Sequence, residues 1–316
     1  HILAGPWTHG GDFKATAGDM SSVPEGGLSD IMGVELRWFD RWLKNLPTGV
    51  DKEKRVKYFL MGGGKGIETG NRVIFHGGEW KTSDVWPPAE TQPMPFYLYP
   101  DGHLSLKPLL SGDFHTTYNF DPSDPVPTIG GNLSAIPLPA GGFDQKGDKI
   151  FIFAKNTLPL SSRSDILCFM TEPLTKDITV VGPIAMKLWV STDGMDTDFT
   201  AKLIDVFPPS LNYPHGAALN ISDSILRLRF RNGFEKEEIA VPGEVYKINF
   251  ELYPTANRFV KGHRIRLDIS SSNYPRFDVN PNTGGPLGIE RRKHIAENTV
   301  YYGASTPSCI ILSVFK

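Results

Sequence analysis

From Val85 onward the chain is cut into short apolar or alternating runs, each bounded by turn residues: "FYLYPDG", "DILCFM", "ITVVGPIAMKLWVST", "FTAKLIDVF", "SILRLRF", "VYKINFEL", "HRIRLDISS" and "SCIILSVF". The turns draw on 32 Gly and 26 Pro, enough to punctuate the chain at the short intervals of many strands joined by tight connections. No amphipathic helical stripe recurs after Lys44. Many short strands with few helices define a β-sandwich or barrel, so a mainly β architecture is expected. Alternation is clear in residues 225–230 and 264–270, which predicts strands with one wet face. The stretch "WPPAETQPMP", residues 86–95, reads as a linker, too proline-rich for a helix or a central strand.

The part before this linker has a different pattern. An apolar run (Ile2, Leu3, Ala4) is stopped by Gly5-Pro6, as expected for a buried strand ending at a turn. In "SDIMGVELRWFDRWLKN" the residues Ile31, Val34, Trp38, Phe39, Trp42 and Leu43 recur mostly at three- and four-residue steps, while Leu36 fits the stripe poorly. This predicts a helix with Ser29 as cap, Asp30 complementing the dipole, Arg41 and Lys44 suiting its end, and Asn45 with the Pro47-Gly49 turn stopping it. Three large aromatics on one stripe predict firm packing against a larger body. The run "VKYFLMGGG" then predicts a strand. Strand, helix, strand is the tail of a doubly wound α/β sheet, expected to end near Thr82. The expected division is therefore 1–82, the end of an α/β domain, and 83–316, a β-sandwich. A strand such as the first needs neighbours, and the chain is expected to be a fragment cut inside a domain.

Composition narrows the partners. The 316 residues are 40% hydrophobic and 22% charged with a net charge of -2, which is ordinary for a globular protein and gives no electrostatic case for nucleic acid or an anionic membrane. No apolar stretch approaches the roughly 20 residues of a membrane span. Cys168 and Cys309 each lie in an apolar run without metal-ligand spacing and read as buried small hydrophobes. No metal and no organic cofactor is implied. The compartment stays open, with the cytoplasm favoured.

His9 is the first candidate for chemistry. It follows the opening strand in "GPWTHGG", and the carboxyl ends of strands are where open α/β sheets place their sites. A histidine there suits a general base, which needs a nucleophile and an orienting carboxylate. The G-x-S-x-G elbow that would present a serine is absent from the sequence. In the order serine, acid, histidine, both partners of His9 would precede His1.

Several blocks carry a family resemblance. "GPWTHG" is joined by "WFDRWLK", "VKYFLMG", "WPP", "FYLYPDGHLS", "YNFDPSDPVPTIGG", "DILCFMTEPLTKDITVVGP", "DTDFTAKLIDVFP", "PGEVYKINFEL", "GHRIRLDISSSNYPRFDVNPNTGG" and "PSCIILSV". Taken together and in this order, they resemble the cocaine-esterase-like acyl hydrolases and the related X-prolyl dipeptidyl peptidases over nearly the whole chain. The resemblance implies an α/β-hydrolase domain with a Ser-His-Asp triad and a helical cap, followed by a C-terminal jelly-roll. It implies that His9 is the catalytic histidine and that Trp7 walls the active site and touches substrate. It implies a small ester or a short X-Pro peptide as substrate, cleaved through an acyl-serine. The nucleophile, the acid, the oxyanion donors and the cap belong to an upstream hydrolase segment, so the chain alone should be inactive. That segment is then the expected partner, present on the same polypeptide or as a separate one; without it, the aromatic helix face should drive aggregation or homo-oligomer formation. The alternative is a non-catalytic jelly-roll that binds carbohydrate or protein; "GPWTHGG" and the Trp38/Trp42 helix, which such a module does not need, weigh against it.

One departure from the family is "KIFIFAKNTLPLS", residues 149–161, an extra strand pair or an altered loop, which either faces the cleft or decorates the surface. Other features read as structural. Asp193, Asp196 and Asp198 offer alternating carboxylates that could suit calcium, but a turn with backbone-capping aspartates is favoured. His215 and His263 are lone histidines near turns, and Arg276 is expected to pair with Asp278 in a long ordered loop. The N-x-S matches at Asn132 and Asn220 would matter only in a secreted protein.

Overall fold

The computed structural model describes residues 1–9, 15–23, 26–28, 30–64, 66, 73–133, 138–211 and 213–316. The first part of the chain forms β1 (Ile2–Ala4), β2 (Thr16–Ala17), β3 (Met20–Ser21), α1 (Ile31–Lys44), β4 (Val56–Gly62), β5 (Ile74–Phe75) and β6 (Gly78–Ser83). Next come β7 (Thr91–Leu98), β8 (Leu104–Ser105), β9 (Asp113–Phe120), β10 (Leu167–Met170) and β11 (Ile178–Thr192). The chain closes with β12 (Asp198–Phe207), β13 (Ala217–Arg227), β14 (Tyr246–Phe259), β15 (Arg264–Ser270), β16 (Ala296–Gly303) and β17 (Cys309–Phe315). The protein is mainly β, a sandwich preceded by a strand, a helix and a strand.

Two sheets enclose the core. The larger runs β1-β4-β14-β11-β17-β7-β8, with β16 joining β11 to β9 and β6 lying beside β4; the smaller is β10-β15-β12-β13. Inward positions recur with the two-residue period of strands: Ile184, Met186, Leu188 and Val190 on β11, Ile265, Leu267 and Ile269 on β15, Ile310, Leu312 and Val314 on β17, all in one buried cluster. The expected strand-helix-strand is present, since β1 pairs parallel with β4 across α1. The seam is continuous, because β4 also pairs parallel with β14 at Met61 and Gly62.

Five expectations need correction. The proline-rich stretch is a linker only as far as Glu90: Pro93 and Pro95 lie on β7, opposite Ser313 and Ile311 of β17. At those positions β7 has a ladder partner on one side only, since β8 meets it at Tyr97 and Leu98, and a strand open on one side tolerates residues without an N–H. Residues 225–230 and 264–270 do not keep a wet face. Arg229 is 2% exposed and Arg266 8%, and each lies on a carboxylate, Arg229 Nε on Asp196 at 2.7 Å and Arg266 on both oxygens of Asp268 at 2.7 Å. Buried charges are tolerated when paired and hydrogen-bonded. A cover over the small sheet makes that layer dry: Val126, Ile129, Phe143, Phe151, Leu160 and Ile166 form their own cluster, and Gln145 beneath them accepts from the buried Lys202 Nζ at 3.2 Å. Burial pushes the Lys202 amine below its ordinary pKa.

The other three corrections concern the first part of the chain. Asp30, not Ser29, is the N-cap that the structure describes for α1, its carboxylate accepting from Gly33 N at 2.8 Å; Ser29 lies outside the described residues. The stop is as expected, with Asn45 in the left-handed region at φ 55°. The aromatic stripe of α1 is not packed. No residue of the helix is buried, Phe39 and Trp42 are each 53% exposed, and Trp38 meets only the rings of His1 and Trp42 among the described aromatic contacts. In the same way β1 is an edge rather than a buried strand, with Ile2 and Ala4 facing outward beyond β4.

Candidate active-site cleft

Gly5 and Pro6 turn the chain out of β1. A Cβ at Gly5 would lie 2.2 Å from the Trp7 ring, so glycine is what lets the indole fold back against its own strand. The indole Nε1 donates to Gly26 O at 3.0 Å, and its ring tilts against Trp80 at 5.9 Å. Thr8 and His9 follow, with His9 exposed at the rim. These residues form one wall of a cleft of about 230 Å³. His9 and Trp7 therefore line the same cleft.

A small sheet, β2-β3-β5, contributes a second wall through Ala17 and Met20. His76, just after β5, stands at the back of the cleft, 2% exposed. Its Nε2 lies 2.7 Å from Asn257 Oδ1 on β14, so Nε2 is the donor, and burial pushes the ring's pKa below the ordinary value. Its backbone N–H donates to Ser21 O at 2.8 Å. His76 thus fastens the small sheet to the sandwich.

The sandwich supplies the third wall. Gly131 and Gly141 exchange backbone hydrogen bonds at 2.7 and 3.0 Å and hold a hairpin whose ends, Asn132, Leu133 and Ala140, face the cleft. Gly141 has φ +118, and a Cβ there would sit 2.3 Å from the Ala17 carbonyl carbon, so the hairpin and the small sheet touch backbone to backbone. Asp223, on β13, lines the floor with its charge taken up by Arg276 and a hydrogen bond from Asn273 Nδ2 at 3.1 Å. This corrects the expected pairing of Arg276 with Asp278, whose carbonyl instead accepts from Arg227 at 3.1 Å. Tyr253 and Pro254, on β14, complete the wall.

Two serines line the cleft, but neither is bonded to His9. Ser22 Oγ donates to Gly77 O and Ser222 Oγ to Tyr253 O, each at 2.6 Å. Among the described residues no carboxylate orients the His9 ring.

The other candidates lie apart from the cleft. Asp196 and Asp198 are buried and committed to Arg229 and Arg227, while Asp193 accepts from Glu297 N at 2.8 Å and from His294. Asp193 and Asp196 cap backbone as the turn reading expects, while Asp196 and Asp198 also neutralise arginines. His263 is held by Asp205 at 2.8 Å, and His215 is exposed. Residues 149–161 form no strand pair; they make turns and a short helical turn at Leu160–Ser162, anchored by buried Phe151 and Leu160, and none of them lines the cleft at His9. Cys309 is buried and Cys168 half-buried, and burial pushes both thiols up. Sequence reasoning missed His76, Asp223 and Tyr253. His76 carried a signal, since it stands before Gly77-Gly78 as His9 stands before Gly10-Gly11; the other two are ordinary strand residues, visible only once β13 and β14 meet.

A family profile described as "X-Pro dipeptidyl-peptidase C-terminal non-catalytic domain" matches residues 48–311. Cocaine esterase of Rhodococcus sp. (strain MB1 Bresler) is 32% identical over all of this chain and 51% of its own length. Among solved structures, an aminopeptidase from the marine sediment archaeon Thaumarchaeota archaeon superposes with a TM-score of 0.74 at 28% identity, over 92% of this chain and 45% of that one. An α-amino acid ester hydrolase does so with a TM-score of 0.66 at 27% identity, over 81% and 41%. The chain spans about half the length of the curated relatives it matches.

Proposed function

Because the chain belongs to the family of X-Pro dipeptidyl-peptidase C-terminal non-catalytic domains, we propose that it is the C-terminal portion of a serine hydrolase that cleaves an ester or an amide through an acyl-serine, with His9 as general base. The single observation that carries this reading is the placement of His9. It is exposed on the rim of a cleft, at the end of the turn that follows a strand with a parallel neighbour, and it lies outside the matched span of the non-catalytic family. Residues 1–82 are then the end of the catalytic α/β domain, and residues 83–316 a jelly-roll that walls its active site. The cleft's own serines are bonded to carbonyls, so nucleophile and acid come from an upstream segment. Trp7 contributes an apolar wall beside the reacting centre. The relatives named as cocaine esterase, aminopeptidase and α-amino acid ester hydrolase all act on acyl bonds, which supports acyl transfer as the reaction class.

In this mechanism His9 takes the proton of the serine hydroxyl as the acyl carbon is attacked. It then returns a proton to the leaving alcohol or amine, and repeats the cycle with water. The test is hydrolysis of p-nitrophenyl acetate by this chain alone and by a polypeptide in which it follows the upstream segment. The chain alone should be inactive; the longer protein should be active, be silenced by a serine-directed phosphonate, and lose on the order of 10⁴-fold or more with His9→Ala. A longer protein that keeps its rate after His9→Ala refutes the assignment, as does hydrolysis by this chain alone.

A further inference from the structure

We propose that Tyr253 is a specificity-determining residue of the His9 cleft, presenting an aromatic face to a flat, uncharged group of the substrate. The inference rests on the reading that this cleft receives substrate, and it adds a contact made by the sandwich.

The strand register around Tyr253 is irregular. β11 and β14 pair through Thr255 opposite Gly182 and then resume with Leu252 opposite Ile184. Two residues of β14, Tyr253 and Pro254, therefore face one residue of β11, Pro183. A two-for-one bulge bends its strand and re-aims the side chains on it. Here both bulged residues line the cleft that His9 and Trp7 also line. Tyr253 is 50% exposed, and both bulged residues are exposed between buried Leu252 and Thr255. A large half-exposed aromatic that lines the same cleft as His9 is open to a ligand rather than committed to core packing.

The ring is also held in place. The Arg276 guanidinium lies 5.4 Å from the Tyr253 ring centroid, within reach of a cation–π contact. Arg276 is itself fixed by Asp223, with both side chains almost wholly buried. Gly131 keeps that approach open, since a Cβ there would stand 2.9 Å from Arg276 Nη1. With Asp223 and Arg276 neutralising each other, this part of the wall offers no free charge to a charged ligand. What it offers is a braced ring, suited to stacking or edge contact with another ring.

Two measurements decide the matter. The first is direct binding of phenylacetamide and of acetamide to this chain, read by ligand-observed NMR. Wild type should favour phenylacetamide, Tyr253→Ala should weaken it about tenfold, and Tyr253→Phe should stay within about twofold. No measurable preference in wild type, or equal affinity in wild type and Tyr253→Ala, overturns the proposal. The second is hydrolysis by the longer protein, comparing methyl phenylacetate with methyl acetate. Tyr253→Ala should raise KM for the phenylacetyl ester well beyond any change for the acetyl ester; an equal loss on both esters counts against specificity. If the longer protein shows no His9-dependent hydrolysis, the proposed function fails while the binding measurement still decides the role of Tyr253.

Discussion

Removing the carboxylate of Asp196 tests whether the polar interior of the sandwich is held by charge pairing. Asp196 is 0% exposed and Arg229 2%. The Arg229 Nε meets Asp196 Oδ2 at 2.7 Å, and its two terminal nitrogens go to Glu237 and Gly285 O, each at 2.9 Å. Asp196 also accepts from Arg229 N at 3.0 Å and Asn280 Nδ2 at 2.9 Å, so one carboxylate ties the turn before β12 to the turn after β13 and to the 280–285 loop. The gross attraction of such a pair, at an effective dielectric near 20, is about 4 kcal/mol. Asp196→Ala leaves the guanidinium buried, with Glu237, half-exposed, as its remaining counter-charge. The net cost expected for orphaning a buried charge is about 3–5 kcal/mol. With a urea m-value of about 3 kcal/mol/M, the unfolding midpoint should fall by about 1–1.7 M. The assay is urea unfolding followed by tryptophan fluorescence, with the exposed pair Arg37–Glu53 as comparison, where Arg37→Ala should cost no more than about 1 kcal/mol. Asp196→Leu combined with Arg229→Met should recover much of the loss, because apolar replacement of both partners removes the buried charge. An Asp196→Ala midpoint indistinguishable from that of Arg37→Ala refutes the argument.

His76 makes stability depend on pH. Its folded-state pKa lies below the ordinary 6.5, so between the two values the unfolded chain binds a proton that the folded chain does not, and stability falls as pH drops through that window. His76→Asn removes this component, so its urea midpoint should change less than that of wild type between about pH 7.5 and about pH 5; an equal change refutes it. Gly141→Ala should cost at least about 2 kcal/mol by thermal or urea unfolding, because φ is +118 and the new Cβ meets Ala17 backbone at 2.3 Å; a neutral substitution would show that the hairpin is not held where the structure puts it. The uncovered face of α1, with Phe39, Trp42 and Leu43 exposed, should make the isolated chain self-associate. Sedimentation velocity should show concentration-dependent association that Trp42→Glu reduces, and a wild type that stays monomeric at every concentration refutes it.

The strands were legible wherever apolar residues alternate against a single core. β11, β15 and β17 each show a two-residue period that survives translation into buried positions. The wet faces expected for residues 225–230 and 264–270 were not legible, because alternation reports that a face is polar and says nothing of what lies over it. Arg266 and Asp268 look like solvent residues in sequence and become interior ones only because residues 126–166 fold across the small sheet. The prolines of β7 misled for a related reason, since a missing N–H excludes a strand only where both sides of it are paired.

The candidate site divides along the same line. Trp7 and His9 were legible because they sit in one short run after a strand, and Gly5 and Pro6 dictate how that run turns. Asp223, Tyr253 and His76 reach the cleft through contacts between separate segments of the chain, such as His76 with Asn257, 181 residues away. Their roles depend on register, and register is where the local pattern is least informative: moving the β14 bulge by one residue would turn Tyr253 to the other face. The site is thus a local motif set into a nonlocal frame. The open face of α1 follows from the same logic, because a helix shows the width of its apolar stripe in sequence but not the body that covers it. A stripe bearing Trp38, Phe39 and Trp42 is wider than this chain's own sheet uses, and burying each such ring is worth on the order of 1.5–3 kcal/mol. On the proposed reading, an upstream segment that covered this face would gain that burial as it brought its serine to His9, so assembly and the proposed chemistry would be coupled.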